Sequence, residues 1–135
     1  MEDYTGEENS VSGRQFSLMK RAESFTHAGR GLRIFLRSTH NAWIQIGIFC
    51  FTVGLGFYFN ISRIDWMMLI LASGLVLSAE AFNTAIEVDI NLTSPEYHPY
   101  ARDTKDVAAG AVLLVSVTAV GIGVLIFGPH ILSFK

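Results

Sequence analysis

The pattern of apolar and polar positions changes several times along the chain, and each change predicts an element. Residues 1–13 combine acids, Ser, Asn and Gly with almost no apolar content, which predicts a solvated, disordered acidic tail. From Arg14 to about residue 39, apolar positions at Leu18, Ala22, Phe25, Gly29, Leu32 and Leu36 recur three or four apart and form one stripe on a helix. Lys20, Arg21, Arg30, Arg33 and Arg37 make the other face basic. The spacing therefore predicts an amphipathic helix over 14–39, with its stripe at the acyl boundary and its cations among anionic headgroups.

Residues 43–60 carry no charge, and their length is near the lower limit for crossing a roughly 30 Å hydrocarbon core. They read as a first span. A polar turn over 60–65 permits an antiparallel return, Trp66 suits the interface, and a second span is expected over 66–89. The stretch 91–103 is polar and contains Pro95 and Pro99, so it reads as a loop. A third span is expected over 105–128, stopped by Gly128-Pro129. The fold expected is an all-α membrane protein: an amphipathic surface helix followed by three transmembrane helices, with residues 14–135 forming a single membrane domain.

Composition strengthens this reading. Of 135 residues, 50% are hydrophobic and 16% charged, against roughly 25% charged in soluble domains. The net charge of -2 averages an acidic start with a basic stretch, and neither part reads as a nucleic-acid binder. The lone Cys50 can form no intramolecular disulfide and reads as packing. The polar beginning has no apolar h-region, so membrane entry is assigned to the internal spans. Six basic residues lie between Arg14 and Arg37, two in the second loop, and one each at Arg63 and Lys135. This bias puts the N-terminus and the second loop on the cytoplasmic side. Gly47, Gly54, Gly74, Ala119 and Gly123 allow close helix contact, and three thin helices bury carboxylates poorly, so a homo-oligomer is expected.

The candidate chemistry lies late in the second span. On a helix turning about 100° per residue, Asn83, Thr84, Glu87 and Asn91 fall at about -60°, +40°, -20° and +20° from Glu80. These five polar groups share one face, whereas Asp89 points away at about 180°. A carboxylate at membrane depth costs a few kcal/mol and is most often retained for chemistry or transport. Glu80 and Glu87 stand roughly 10 Å apart along the axis, far enough for one to accept a proton while the other holds a cation. Glu96, Tyr97 and His98 follow in the loop, and Lys105 and Asp106 stand at the mouth of the third span. That inventory suits phosphoryl transfer, which depends mostly on positioning and charge neutralisation. No G-x-x-x-x-G-K-[ST] occurs, which excludes a P-loop.

The run Glu80-Ala-Phe-Asn-Thr-Ala-Ile-Glu87, followed by Ser-Pro-Glu-Tyr-His98 and Lys105-Asp106-Val-Ala-Ala, closely resembles the prokaryotic diacylglycerol kinase and undecaprenol kinase family. The resemblance covers about residues 16–132. It implies a homotrimeric, multi-pass kinase of the prokaryotic inner (plasma) membrane, with three spans per subunit. Such enzymes use ATP and Mg2+ to phosphorylate a lipid bearing a primary hydroxyl. By resemblance Glu80 is the catalytic base, Asn83 its active-site neighbour and Glu87 a magnesium ligand. Glu96, Tyr97, His98, Lys105 and Asp106 are nucleotide contacts, joined by Lys20 and His27 on the surface helix. The chain departs from the family pattern at Thr39, where Glu is frequent, at Gln45, where His or Glu is frequent, and at Asn91, where Asp is usual. A weakly active or inactive member is one alternative these departures raise. An oligomeric membrane transporter using Glu80 as a proton site, or a purely structural oligomer, are the readings from other classes.

Overall fold

The computed structural model describes residues 18–133, with side chains described from Glu23 to Ser133. The expected acidic tail, the first turn of the surface helix, the Lys20 side chain and Lys135 lie outside these residues. Four helices follow in order: α1 (Leu18–Ser38), α2 (His40–Phe59), α3 (Arg63–Thr93) and α4 (Pro99–Leu132). The last three are long and apolar enough to cross a membrane. The protein is thus an all-α membrane protein with a leading helix and three spans.

The chain leaves α1 through one extended residue, Thr39 (φ -116°, ψ 105°), and enters α2 at once. The Trp43 indole closes the corner by donating to the Leu36 carbonyl at 2.8 Å, one of the acceptors a helix end leaves without an intrahelical partner. Phe35 is the buried anchor of α1. Phe25 and Leu32 on the predicted stripe stay 78% and 58% exposed, as expected of a face that meets lipid or a neighbouring chain.

At the far end of α2, Asn60 takes the left-handed conformation (φ 52°, ψ 51°) that Asn tolerates better than most residues. Ile61 N–H then reaches back to the Gly56 carbonyl at 3.1 Å. Ser62 and Asp65 form a reciprocal capping box, which starts α3 at Arg63. Gly56 is required here, because a Cβ would stand 2.7 Å from the Trp66 ring. Ile61, Leu69, Ile126 and Phe127 build the small buried core at this end, joined by Leu55, Phe59, Trp66 and Ile122.

The helices overrun the boundaries that the prolines suggested. The loop expected over 91–103 shrinks to 94–98, because α3 continues to Thr93 and α4 begins at Pro99. Pro99 occupies the start of α4, where a missing N–H costs nothing and the fixed φ is already helical. The expected stop at Gly128-Pro129 is also overturned, since α4 runs on to Leu132 with Pro129 inside it. Pro129 removes one hydrogen bond near the end of the helix, and its carbonyl still accepts from the Ser133 N–H at 3.1 Å and hydroxyl at 2.7 Å. At 31 and 34 residues, α3 and α4 measure about 46 and 51 Å, so they project past the hydrocarbon core. Their projecting turns meet at the loop that carries Glu96 to His98.

Candidate active site

Glu80 lies on α3 about 26 Å from its start, so a hydrocarbon core of roughly 30 Å entered at that start would put it nearer the far boundary than the midplane. Its side chain is 4% exposed. Both carboxylate oxygens accept from neutral amides of α2: Asn41 Nδ2 reaches Oε1 and Gln45 Nε2 reaches Oε2, each at 3.2 Å. Asn41 and Gln45 are four residues apart and so project from one face of α2. A buried carboxylate is costly unless its lone pairs are met, and these two amides meet them without neutralising the charge.

Asn83, 9% exposed, lies one turn further along α3 and donates from Nδ2 to Glu87 Oε1 at 3.1 Å. Glu87 itself is exposed. Thr84 gives its hydroxyl proton to the Glu80 carbonyl at 2.9 Å, so in its 2.9 Å contact with Thr39 the Thr39 hydroxyl is the donor. That contact docks the α1–α2 corner on α3 at Thr84, which lies one helical turn before Glu87. Of the five groups predicted to share a face, Asn83 bonds Glu87 along one side of α3, whereas Asn91 bonds Lys105 of α4. Asp89 is exposed, and its backbone carbonyl accepts from the Thr93 hydroxyl at 2.8 Å.

Two buried oxygens, Gln45 Oε1 and Asn83 Oδ1, have no hydrogen-bond partner. Each belongs to an amide whose NH2 is committed to Glu80 or Glu87, which fixes the orientation of the amide. An unmet buried acceptor costs about 1–3 kcal/mol. Two such acceptors flank the acids.

Glu96, Tyr97, His98, Lys105 and Asp106 come together on one cleft of about 300 Å³ between the α3 end, the loop and the first turns of α4. His98 caps α4, its Nδ1 accepting from Tyr100 N–H at 3.3 Å. Lys105 Nζ donates to Asn91 Oδ1 at 2.6 Å, and Arg102 pairs with Asp106 at 3.5 Å. Ile90 and Asn91, which belong to the cleft wall, are the residues one turn beyond Glu87. The acids and the cleft are thus consecutive along α3. His27 stands apart within this chain, exposed on α1 and 3.8 Å from Glu23.

Asn41 and Arg102 are the site residues that sequence reasoning missed, and Gln45 it read only as a departure from the family pattern. Their signal was available in part, since Asn41 and Gln45 are polar at helical spacing in a charge-free stretch. Among the described residues, no group of three or more His, Cys, Asp or Glu could hold a metal ion. A magnesium ion needs fewer protein ligands than that, commonly one or two carboxylates with substrate phosphates and water. The exposed Glu87 carboxylate fits such a donor set.

The family model for prokaryotic diacylglycerol kinase matches residues 26–127. The undecaprenol kinase of Bacillus subtilis is 39% identical over 109 residues, covering 81% of this chain and 89% of that protein. A diacylglycerol kinase of Synechocystis sp. is 33% identical over 111 residues, covering 82% of this chain and 63% of its own length. One from Helicobacter pylori is 27% identical over 125 residues, covering 87% of this chain and 94% of that protein.

Proposed function

The chain belongs to the prokaryotic diacylglycerol kinase family and is a lipid kinase, and on that premise we propose that it transfers the γ-phosphoryl group of ATP to a primary lipid hydroxyl, with Glu80 as the base. The single observation that carries this reading is the Glu80 carboxylate, buried and held by two neutral amides. Fixed by Asn41 and Gln45, it is oriented and remains an acceptor for a proton. A hydroxyl delivered at headgroup depth gives its proton to Glu80 as its oxygen attacks the γ-phosphorus. The bond from that phosphorus to the bridging oxygen breaks, leaving lipid phosphate and ADP, and Glu80 returns the proton to solvent.

The nucleotide binds in the cleft beyond Glu87, where Lys105 supplies a cation for phosphates and Glu96, Tyr97, His98 and Asp106 supply polar and aromatic contacts. Glu87, oriented by the Asn83 amide, would hold magnesium, which supplies charge neutralisation on the phosphates. Lys20 and His27 are assigned to the nucleotide as well, and the assembly is a homotrimer. In the same reading residues 14–135 form one domain of the plasma membrane, and the N-terminus and the α3–α4 loop face the cytoplasm, where ATP is.

Diacylglycerol and undecaprenol both present a primary hydroxyl on an apolar tail, and both appear as substrates in the names of the relatives. The test is to incubate purified protein with labelled ATP and undecaprenol, diacylglycerol or a sphingoid lipid in turn. Magnesium-dependent label in undecaprenol or diacylglycerol is expected, and no label in any of the three lipids would contradict the reading.

A further inference from the structure

Arg102 lines the cleft beyond Glu87 and has no part in the proposed reaction so far. The charged groups of that lining are Glu96, Arg102, Lys105 and Asp106, so with His98 neutral the two carboxylates are matched in number by the two cations. Lys105 alone would leave the lining net negative, and MgATP is itself anionic. Arg102 stands three residues before Lys105, on the neighbouring turn of α4. Its guanidinium meets Asp106 through Nε at 3.5 Å, in a pair whose side chains are each 66% exposed. Such a pair adds little to stability and is readily exchanged for another anion. Of the five N–H donors of an arginine, the four on its terminal nitrogens are not engaged by this contact.

We infer that Arg102 is a second phosphate-binding cation of the cleft, held at its Nε edge by Asp106 and offering its terminal nitrogens, beside Lys105, to a nucleotide polyphosphate. The inference rests on the kinase reading for the identity of that ligand. The two cations have different uses. Lys105 is half-buried and tied to Asn91 Oδ1 at 2.6 Å, so it acts as a fixed point charge. Arg102 is exposed at the mouth, and its planar fork can engage two phosphate oxygens at once. The carboxylate of Asp106 is compatible with an anionic ligand because it acts on Arg102, whose charge matches it and whose free donors face outward from the contact. The cation at position 102 thus keeps a cleft that contains two acids open to a polyphosphate.

The test uses the full-length protein with Arg102→Ala and Arg102→Lys, changes at an exposed position that leave the helix packing intact. Binding of a fluorescent ATP analogue is measured over a salt series, and KM for MgATP at saturating lipid. Arg102→Ala is expected to weaken binding about five- to tenfold at low salt, by an amount that shrinks as salt rises, and to raise KM in step. Arg102→Lys keeps the charge without the fork and is expected to recover most of that loss. If Arg102 were only a surface partner of Asp106, Arg102→Ala would melt slightly earlier and its ATP affinity would not move. Affinity of Arg102→Ala within about twofold of the unmodified protein at low salt, or a loss that salt does not reduce, overturns the inference. An Arg102→Lys variant that binds no better than Arg102→Ala overturns it too. Lipid phosphorylation by the unmodified protein in those cases leaves the kinase reading standing, whereas an unmodified protein that binds no nucleotide overturns both.

Discussion

Gln45 on α2 donates its amide N–H to Glu80 Oε2 on α3 at 3.2 Å, and its own oxygen is left buried without a partner. This amide therefore does two things: it aims the carboxylate and it presents an unmet acceptor next to it. Asn41 performs the first task alone, from a more exposed position.

Replacing Gln45 with Leu should accordingly reduce kcat more than it reduces affinity for ATP. The change leaves one buried carboxylate oxygen unmet at a cost of about 1–3 kcal/mol, so kcat is expected to fall about tenfold or more. Steady-state kinetics with ATP varied at saturating lipid checks this. An unchanged kcat would mean that the contact does not orient the base.

Magnesium dependence separates the acids of α3. Glu87 is bonded to Asn83 on the face of Glu80, whereas Asp89 is exposed on the opposite side. Glu87→Gln should raise the magnesium concentration for half-maximal rate sharply, and Asp89→Asn should leave it nearly unchanged. The reverse ranking would overturn the assignment of Glu87.

Thr39 offers a complementary gain of function, because its hydroxyl is 2.9 Å from Thr84, one turn from Glu87. Thr39→Glu brings a second carboxylate to that place and should lower the magnesium requirement. A titration that shows no change would remove residue 39 from the neighbourhood of the metal.

Stability is set at the opposite end of the bundle. A Cβ on Gly56 would meet two Trp66 ring atoms at 2.7 and 2.9 Å, and that ring packs on Phe57 with centroids 4.9 Å apart. Gly56→Ala is expected to destabilise the fold by about 1–3 kcal/mol through overpacking. It should lower the melting temperature in detergent while the activity of the folded protein at low temperature remains close to normal.

Much of this arrangement is legible in the sequence, for a physical reason. The faces of α1 and α3 follow from the helical period, so the grouping of Glu80, Asn83, Thr84 and Glu87 needs no tertiary information. The turn at Asn60 and the start at Ser62 are likewise local, written in a left-handed Asn and a capping box. Helix ends were harder to place, because Pro99 and Pro129 read as breakers until their positions within α4 are known. The contacts between helices were not legible at all. Asn41 and Gln45 are 39 and 35 residues from Glu80, and Asn91 is 14 from Lys105, so these pairs depend on how the helices pack. The Asn91 bond also shows that this residue, on the helical face of Glu80, serves the cleft instead.

The most direct measurement is phosphoryl transfer by Glu80→Gln, which keeps the shape of the side chain and one of the two acceptor oxygens that Asn41 and Gln45 engage, and removes its capacity to take a proton. The variant should retain the oligomeric state and ATP binding of the unmodified protein, with turnover on its preferred lipid lowered by about 10²- to 10⁴-fold. Folded, ATP-binding Glu80→Gln that phosphorylates lipid at a near-normal rate would contradict the assignment of Glu80 as the base.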